Sequence, residues 1–238
     1  GSGIQCGRHA SERALSEIRE AEIVLCLVDP FALGMILGIR PDAVNLGVHY
    51  APGRDRREVY RAIDAEIMAE VDAGRQVCAV FYGHPGVFAD VPHAVMRKTR
   101  ERGLPARMEP GISAEACLYA DLGLDPGKRG VQSMEATQFL AYDRRPDPDG
   151  LVLLWQVALS GDLSCSRSEA DRDGLQALVD KLLRWYPGDH EVVLYEAAQL
   201  PIQSPRIDCL PLRDLPDARY EEYTTLVIPP LGELRRGP

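Results

Sequence analysis

At 238 residues, with 45% apolar content and a formal net charge of -9, the chain is long enough for one large α/β unit or two smaller lobes, each with material for a core. The acidic balance argues against a general nucleic-acid binder, because neutralising phosphates demands a basic surface, although a local basic patch such as Arg54-Asp55-Arg56-Arg57 is present. No run approaches the roughly 18 apolar residues of a membrane span, the longest, Leu151 to Leu159, being interrupted by Gln156, and no signal peptide is evident. A cytoplasmic protein with neither nucleic acid nor membrane as partner is expected.

In chain order, Gly1-Ser2-Gly3-Ile4 has the form of a glycine turn after a strand, yet no strand precedes it. Missing upstream residues are the favoured reading, an expression scar at Gly1-Ser2 the alternative. Helical spacing over Ser11 to Ala21 leads to a strand at Ile23 to Val28, a helix at Ala32 to Ile39 and a short strand at Val44 to His49. A helix over Arg56 to Ala73 precedes the apolar strand Val77 to Tyr82, which stops at Gly83-His84-Pro85-Gly86. Val91 to Arg102 reads as a helix and Ala106 to Glu109 as a strand ended by Pro110-Gly111. Ile112-Ser113-Ala114-Glu115 then opens a helix through Ala116, Leu118 and Leu122. This alternation predicts a mainly parallel sheet. The polar, proline-rich stretch 144–150 reads as a linker between an N-terminal α/β lobe, 1–143, and a C-terminal α/β lobe, 151–238. In the second lobe Leu151 to Leu159, Glu191 to Ala197 and Tyr223 to Ile228 read as strands and Arg172 to Tyr186 as a helix. The six cysteines are scattered, with no CxxC pair, and read as buried free thiols of a reducing compartment.

Two strand ends followed by glycine turns suggest a small-molecule site, since ligands of open α/β sheets bind beyond the carboxyl ends of strands. A dinucleotide is disfavoured: GxGxxG with an acidic residue about 20 positions on is absent.

The ordered series GSGI, FYGHPGVF, MEPGISAEACLYADLGLDPG, QSMEATQFL, LLWQVAL, EVVLYEA and YTTLVIPP resembles the tetrapyrrole-methylase superfamily of S-adenosylmethionine-dependent methyltransferases. Within it the series is similar to the borosin peptide backbone α-N-methyltransferases, and LLWQ and LPIQSPRI are most similar to the split bacterial type. The resemblance spans nearly the whole chain. It implies a two-lobed class III methyltransferase fold, with a mainly parallel N-terminal sheet and a mixed C-terminal sheet, the donor held in a cleft between lobes, and a homodimer. It also implies S-adenosylmethionine as the cosubstrate, S-adenosylhomocysteine as product, and no metal. Tyr82, His84, Val87, Ser113, Ala114, Gln156, Ala197, Thr224 and Thr225 are the donor-lining residues by this resemblance. Small residues and backbone groups suit an adenine edge and a methionine carboxylate, while a sulfonium wants carbonyl or ring-face neighbours and no nearby cation.

Arg56 and Tyr60 are four apart at a predicted helix start, which places guanidinium and phenol on one face. By resemblance they are the catalytic pair, with Tyr50 and Tyr82 orienting the acceptor amide. A backbone amide is a poor nucleophile and a weak acid, so methylating its nitrogen requires imidate character with the carbonyl oxygen stabilised. A protonated arginine serves that need and favours a tyrosinate, drawing Tyr60 down from about 10 toward a useful base.

Plainer readings stand beside these. Tyr60, Ile63, Ile67 and Val71 recur at helical spacing and equally describe a core-facing stripe. Tyr82 could be a strand-end tyrosine, His84 a turn residue capping a backbone group, Gln156 a buried structural amide, and Thr224-Thr225 ordinary strand threonines. Arg54 and Arg57 read as a solvated charge cluster. One departure from the family pattern is Gly47, where a further tyrosine is common, which weakens a tyrosine-caged acceptor site. No repetitive apolar core peptide follows Ile228, so a separate precursor peptide is the expected substrate. The alternatives are a tetrapyrrole C-methyltransferase of corrin or sirohaem synthesis, disfavoured by Gly83-His84-Pro85 where a GDP-type turn is expected, and a non-catalytic donor-binding module.

Overall fold

The computed structural model describes residues 1–51, 54–162 and 169–232. Pro52 and Gly53 of the expected catalytic segment, and Cys165, lie outside the described residues. Among the described residues no helix is long and apolar enough to cross a membrane. The chain divides into two compact units, Gly1–Cys117 with Ala198–Gln203, and Leu118–Ala197 with Ser204–Pro238.

In the first unit, strands β1 (Ile23–Leu27), β2 (Val44–Asn45) and β3 (Val77–Phe81) form a wholly parallel sheet in the order β2-β1-β3. Leu25 lies opposite Val44, and Leu27 opposite Phe81. Successive residues of β1 feed opposite faces: Leu25 joins Leu46, Val59, Ile63, Ile67, Phe81 and Val91 on one side, while Val24 and Cys26 join Ile18, Ile36 and Val80 on the other. Four helices start at built caps. In α1 (Glu12–Glu20) Ser11 accepts from Ala14 N, and in α2 (Pro30–Ile39) Asp29 accepts from Phe31 N and Ala32 N. In α3 (Arg56–Asp72) Asp55 accepts from Arg57 N, and α4 (Asp90–Glu101) follows without a side-chain cap. In α5 (Ala114–Leu122) Ser113 Oγ accepts from Ala116 N. Such caps each contribute about 1 kcal/mol.

Two expected strands differ here. The segment Val44 to His49 leaves the sheet after Asn45, because the Asn45 carboxamide accepts from Gly47 N at 2.8 Å and turns the chain into a 3-10 helix, Leu46–His49. Ala106 to Glu109 belongs to no strand. Its neighbours there are Gly1, whose nitrogen donates to Glu109 O at 3.0 Å, and Ser2, whose N–H donates to Phe81 O instead. A single bond on each side makes no ladder.

In the second unit α6 (Pro126–Arg129), β4 (Val131–Glu135) and α7 (Ala136–Ala141) precede β5 (Leu151–Trp155), α8 (Arg172–Leu182), β6 (Glu191–Glu196), β7 (Arg206–Pro211) and β8 (Thr225–Ile228). The five-stranded sheet has the order β4-β5-β8-β6-β7, parallel between β4 and β5 and antiparallel elsewhere. Phe139, Leu154, Leu178, Leu182, Leu194 and Leu226 are fully buried in its core. The expected sheets, mainly parallel first and mixed second, are both present.

The unit boundary is not at 144–150. That stretch is a surface turn within the second unit, with Asp147 N bonded to the Gln132 carboxamide and Gly150 N to Asp147 O, and it leads from α7 into β5. The division falls within α5 instead. β4 and β7 escape pattern reading because both are edge strands carrying polar residues, Gln132 and Ser133 in one, Arg206 and Asp208 in the other. The expected strand Leu151 to Leu159 ends at Trp155, since Gln156 takes a left-handed conformation (φ 53°, ψ 42°) and Val157–Leu159 form a 3-10 turn. Of the described cysteines Cys26 is buried as expected, whereas Cys209 on edge strand β7 is exposed.

Candidate functional site

The first unit gathers its expected residues at one edge. In a β1-α2-β2-α3-β3 path with parallel strands, every helix begins where a strand has ended, so helix starts line the carboxyl edge of the sheet. Tyr50 follows the 3-10 helix after β2, Arg56 and Tyr60 occupy the first turns of α3, and Tyr82 and His84 follow β3. Tyr82 N donates to Leu27 O at 3.1 Å, which ties the turn to the end of β1. Within the basic cluster the three arginines differ. Arg56 is half-buried, Arg57 pairs with Asp55 at 2.7 Å on the surface, and exposed Arg54 donates to His49 O. Asp55 is held below the usual carboxylate range by Arg57, through its side chain first and its backbone N–H second. Tyr60 is half-buried and packs against the cluster of Val59, Ile63 and Ile67, while Val71 is half-buried. The stripe runs from core to edge, with Tyr60 at its outer end. His49 Nε2 lies 2.5 Å from Glu66 Oε2, which anchors the residue before Tyr50 to α3.

Glycines shape the backbone beside these side chains. Gly3 and Gly83 form an antiparallel bridge, with N–H to O distances of 3.1 and 3.0 Å, and both have positive φ. A Cβ on Gly1 or on Gly111 would run into the Gly83 carbonyl oxygen. The plain reading of His84 is present in the structure: its Nδ1 accepts from Gly86 N at 2.9 Å. Val87 is exposed; Ser113 caps α5 and Ala114 is its first residue.

In the second unit β5 ends, β6 ends and β8 begins at the same edge, as the register of Leu154 opposite Leu226 and Tyr195 opposite Thr225 requires. Gln156, Ala197, Thr224 and Thr225 lie at that edge. Gln156 is not the buried amide of the plain reading. It is the one exposed residue from Leu151 to Ser160, and its left-handed backbone costs on the order of 1 kcal/mol or more for a residue other than glycine. Thr224 and Thr225 are fully buried, and Thr224 Oγ1 donates to Glu196 Oε1 at 2.6 Å. Burial alone would lower Arg206, but hydrogen bonds to Asp208 and Glu196 hold it above the ordinary guanidinium value. Burial raises Tyr223, with Glu196 and Glu221 adding to the rise.

The model of the tetrapyrrole (corrin/porphyrin) methylases matches residues 1–204. The chain belongs to the tetrapyrrole methylase family. It is 36% identical over 235 residues to a gymnopeptide precursor of Gymnopus fusipes and 35% identical over 235 residues to the omphalotin A precursor of Omphalotus olearius, each named as both a methyltransferase and a ribosomally synthesized cyclic peptide precursor. A type II borosin precursor of Phlebiopsis gigantea is 33% identical over 237 residues. These alignments cover 97% of this chain but 56%, 56% and 42% of the relatives, so the chain spans about half the length of the proteins it matches. Within its family it is therefore similar to borosin methyltransferases. The uroporphyrin-III C-methyltransferase of Thermus thermophilus superposes with a TM-score of 0.68 over 96% of this chain and 89% of that one, at 20% identity, and shares the fold.

Sequence reading passed over Glu66 and Glu196, since carboxylates in helices and strands are usually solvated. The place of Glu196 directly before Ala197 could have marked it, whereas nothing in the sequence brings Glu66 to His49, 17 residues away.

Proposed function

We propose that this methylase transfers methyl groups from S-adenosylmethionine to backbone amide nitrogens of a peptide, releasing S-adenosylhomocysteine. The observation that carries the reading is the carboxyl edge of the first sheet, where Tyr50, Arg56, Tyr60 and Tyr82 follow strand ends beside glycine-walled backbone. One of the expected donor residues suits the cosubstrate: Gln156 presents an unburied side chain from a strained turn after β5. By the family resemblance the residues that would hold it are Tyr82, His84, Val87, Ser113 and Ala114, together with Gln156, Ala197, Thr224 and Thr225. When bound, the sulfonium supplies an electrophilic methyl group.

The chain's own side chains then have an acceptor to prepare. In this reading Tyr60 takes the amide proton, Arg56 stabilises the negative charge developing on the carbonyl oxygen, and Tyr50 and Tyr82 fix the amide plane. The half-buried setting of Arg56 and Tyr60 supports these roles, because charge stabilisation is stronger where water is scarce. The similarity to split-type LLWQ and LPIQSPRI segments supports a precursor supplied as a separate chain, and assembly as a homodimer belongs to the same family-based reading.

The test is intact-mass analysis of the protein co-expressed with a small peptide encoded beside its gene. Stepwise replacement of hydrogen by methyl, localised to backbone nitrogens by fragmentation, is expected on the peptide. Methyl groups on this protein's own full-length chain would replace the separate-substrate reading with a fused one. No methylation of any peptide, with S-adenosylhomocysteine still bound, would leave a donor-binding module.

A further inference from the structure

We infer that Glu196, held by Arg206, is a positioning residue for the donor-binding backbone of the second unit; the inference rests on the donor assignment proposed above. Glu196 ends β6, directly before Ala197, and lies opposite Arg206 in the β6–β7 ladder. Its Oε1 accepts from Arg206 Nη1 at 2.6 Å and from Thr224 Oγ1 at 2.6 Å. The same Thr224 hydroxyl accepts from Glu221 N at 2.8 Å, and the Thr224 carbonyl oxygen accepts from Val157 N at 3.2 Å. One carboxylate thus reaches, through a single fully buried threonine, the residue that follows Gln156. The ends of β5 and β6 and the start of β8 are linked by this chain of bonds, and those three ends carry Gln156, Ala197 and Thr224-Thr225.

Arg206 keeps the carboxylate in place. Its remaining nitrogens bond Asp208 Oδ2 at 2.6 Å and Arg219 O at 2.8 Å, so the guanidinium is fixed on three sides. Glu196, Arg206, Asp208, Arg219 and Glu221 together line a hollow of about 290 Å³. A carboxylate with an arginine and a hydroxyl forms charge-assisted bonds, which are shorter and about twice as strong as neutral ones. The left-handed turn at Gln156 is costly on its own, so it needs an outside hold, and the bond from Val157 N to Thr224 O supplies one.

The experiment measures S-adenosylhomocysteine affinity by calorimetry for the wild type, Glu196→Gln, Thr224→Val, Thr224→Ser and Arg206→Lys, at a temperature where each is folded by circular dichroism. Glu196→Gln and Thr224→Val are expected to weaken binding on the order of ten-fold. Their double variant should be little worse than either, because both break one bond. Thr224→Ser keeps the hydroxyl and should lose less affinity than Thr224→Val. Arg206→Lys, which keeps a cation but cannot hold three partners, should lose affinity by a smaller factor and serves where Glu196→Gln does not fold. Wild-type affinity in Glu196→Gln and Arg206→Lys, or a drop in melting temperature with no change in affinity, overturns the inference alone. A wild type that does not bind overturns the donor assignment and the inference with it.

Discussion

The carbonyl oxygen of Gly83 occupies the space that a Cβ on Gly111 would need, and Gly1 Cα closes the other side at 2.9 Å. Pro110-Gly111 and the turn after β3 are therefore packed backbone to backbone, with no side chain that could yield. Gly111→Ala is expected to destabilise the fold by about 1–3 kcal/mol, the usual cost of overpacking where nothing relaxes. Gly34, in α2, is the control: a Cβ there meets nothing within 4 Å. Gly34→Ala should stabilise by about 0.5–1 kcal/mol through helix propensity alone. Thermal melts of both variants check the contrast, and equal shifts would refute the packing argument.

Arg56 and Tyr60 are four residues apart on α3, and neither is among the expected donor-lining residues. Tyr60→Phe and Arg56→Ala should therefore leave S-adenosylhomocysteine affinity within about two-fold while lowering methyl transfer by about 10²-fold or more, the usual range for a lost general base or oxyanion donor. Quantitative mass spectrometry under single-turnover conditions separates the two effects. A variant whose affinity and turnover fall together would assign these residues to donor binding instead. Arg57→Ala, which breaks a surface pair with Asp55, should change turnover little.

Much of this was legible in the chain before the fold was seen, for reasons that individual residues make plain. Val77 to Phe81 is an apolar run stopped by glycine and proline, and such a run announces a strand even at a sheet edge. β4 and β7 do not announce themselves, since charges such as Arg206 and Asp208 on an edge strand blur its alternation. The stretch 144–150 reads like a linker because Pro146 and Gly150 punctuate a turn from a helix into a strand as readily as a domain boundary. At the site, residue type alone could not distinguish Gln156 as a buried amide from Gln156 in a left-handed turn; that depends on how β5 terminates against Thr224. Arg56 differed from Arg57 in exposure, which the helical spacing could rank but not measure.

Gln156 offers a way to separate strain from recognition. Its left-handed backbone suits glycine, so Gln156→Gly should relieve on the order of 1 kcal/mol of strain, partly offset by the flexibility glycine adds to the unfolded chain. Gln156→Ala keeps the strain and removes the amide. If the amide contacts the donor, both variants lose affinity for S-adenosylhomocysteine by a similar factor although only the glycine variant retains or gains thermal stability. Full affinity in Gln156→Gly would show that the backbone, and not the carboxamide, serves the site.

The thiols give a last, pH-dependent expectation. Burial pushes Cys26 up to about 12, and burial with a smaller contribution from Glu17 pushes Cys78 up to about 11. Alkylation requires the thiolate, so at pH 8 iodoacetamide should modify exposed Cys209 in the folded protein and leave Cys26 untouched until denaturant is added. The same shifts set the sign of the alkaline stability limb. An unfolded cysteine releases its proton near pH 8.5, whereas folded Cys26 retains it, so between about pH 9 and 12 the folded state binds more protons and stability falls as pH rises. Cys26→Ala removes that contribution, and its melting temperature should decline less steeply than the wild type's above pH 9. Parallel alkaline slopes for the two proteins would show that Cys26 does not carry the effect.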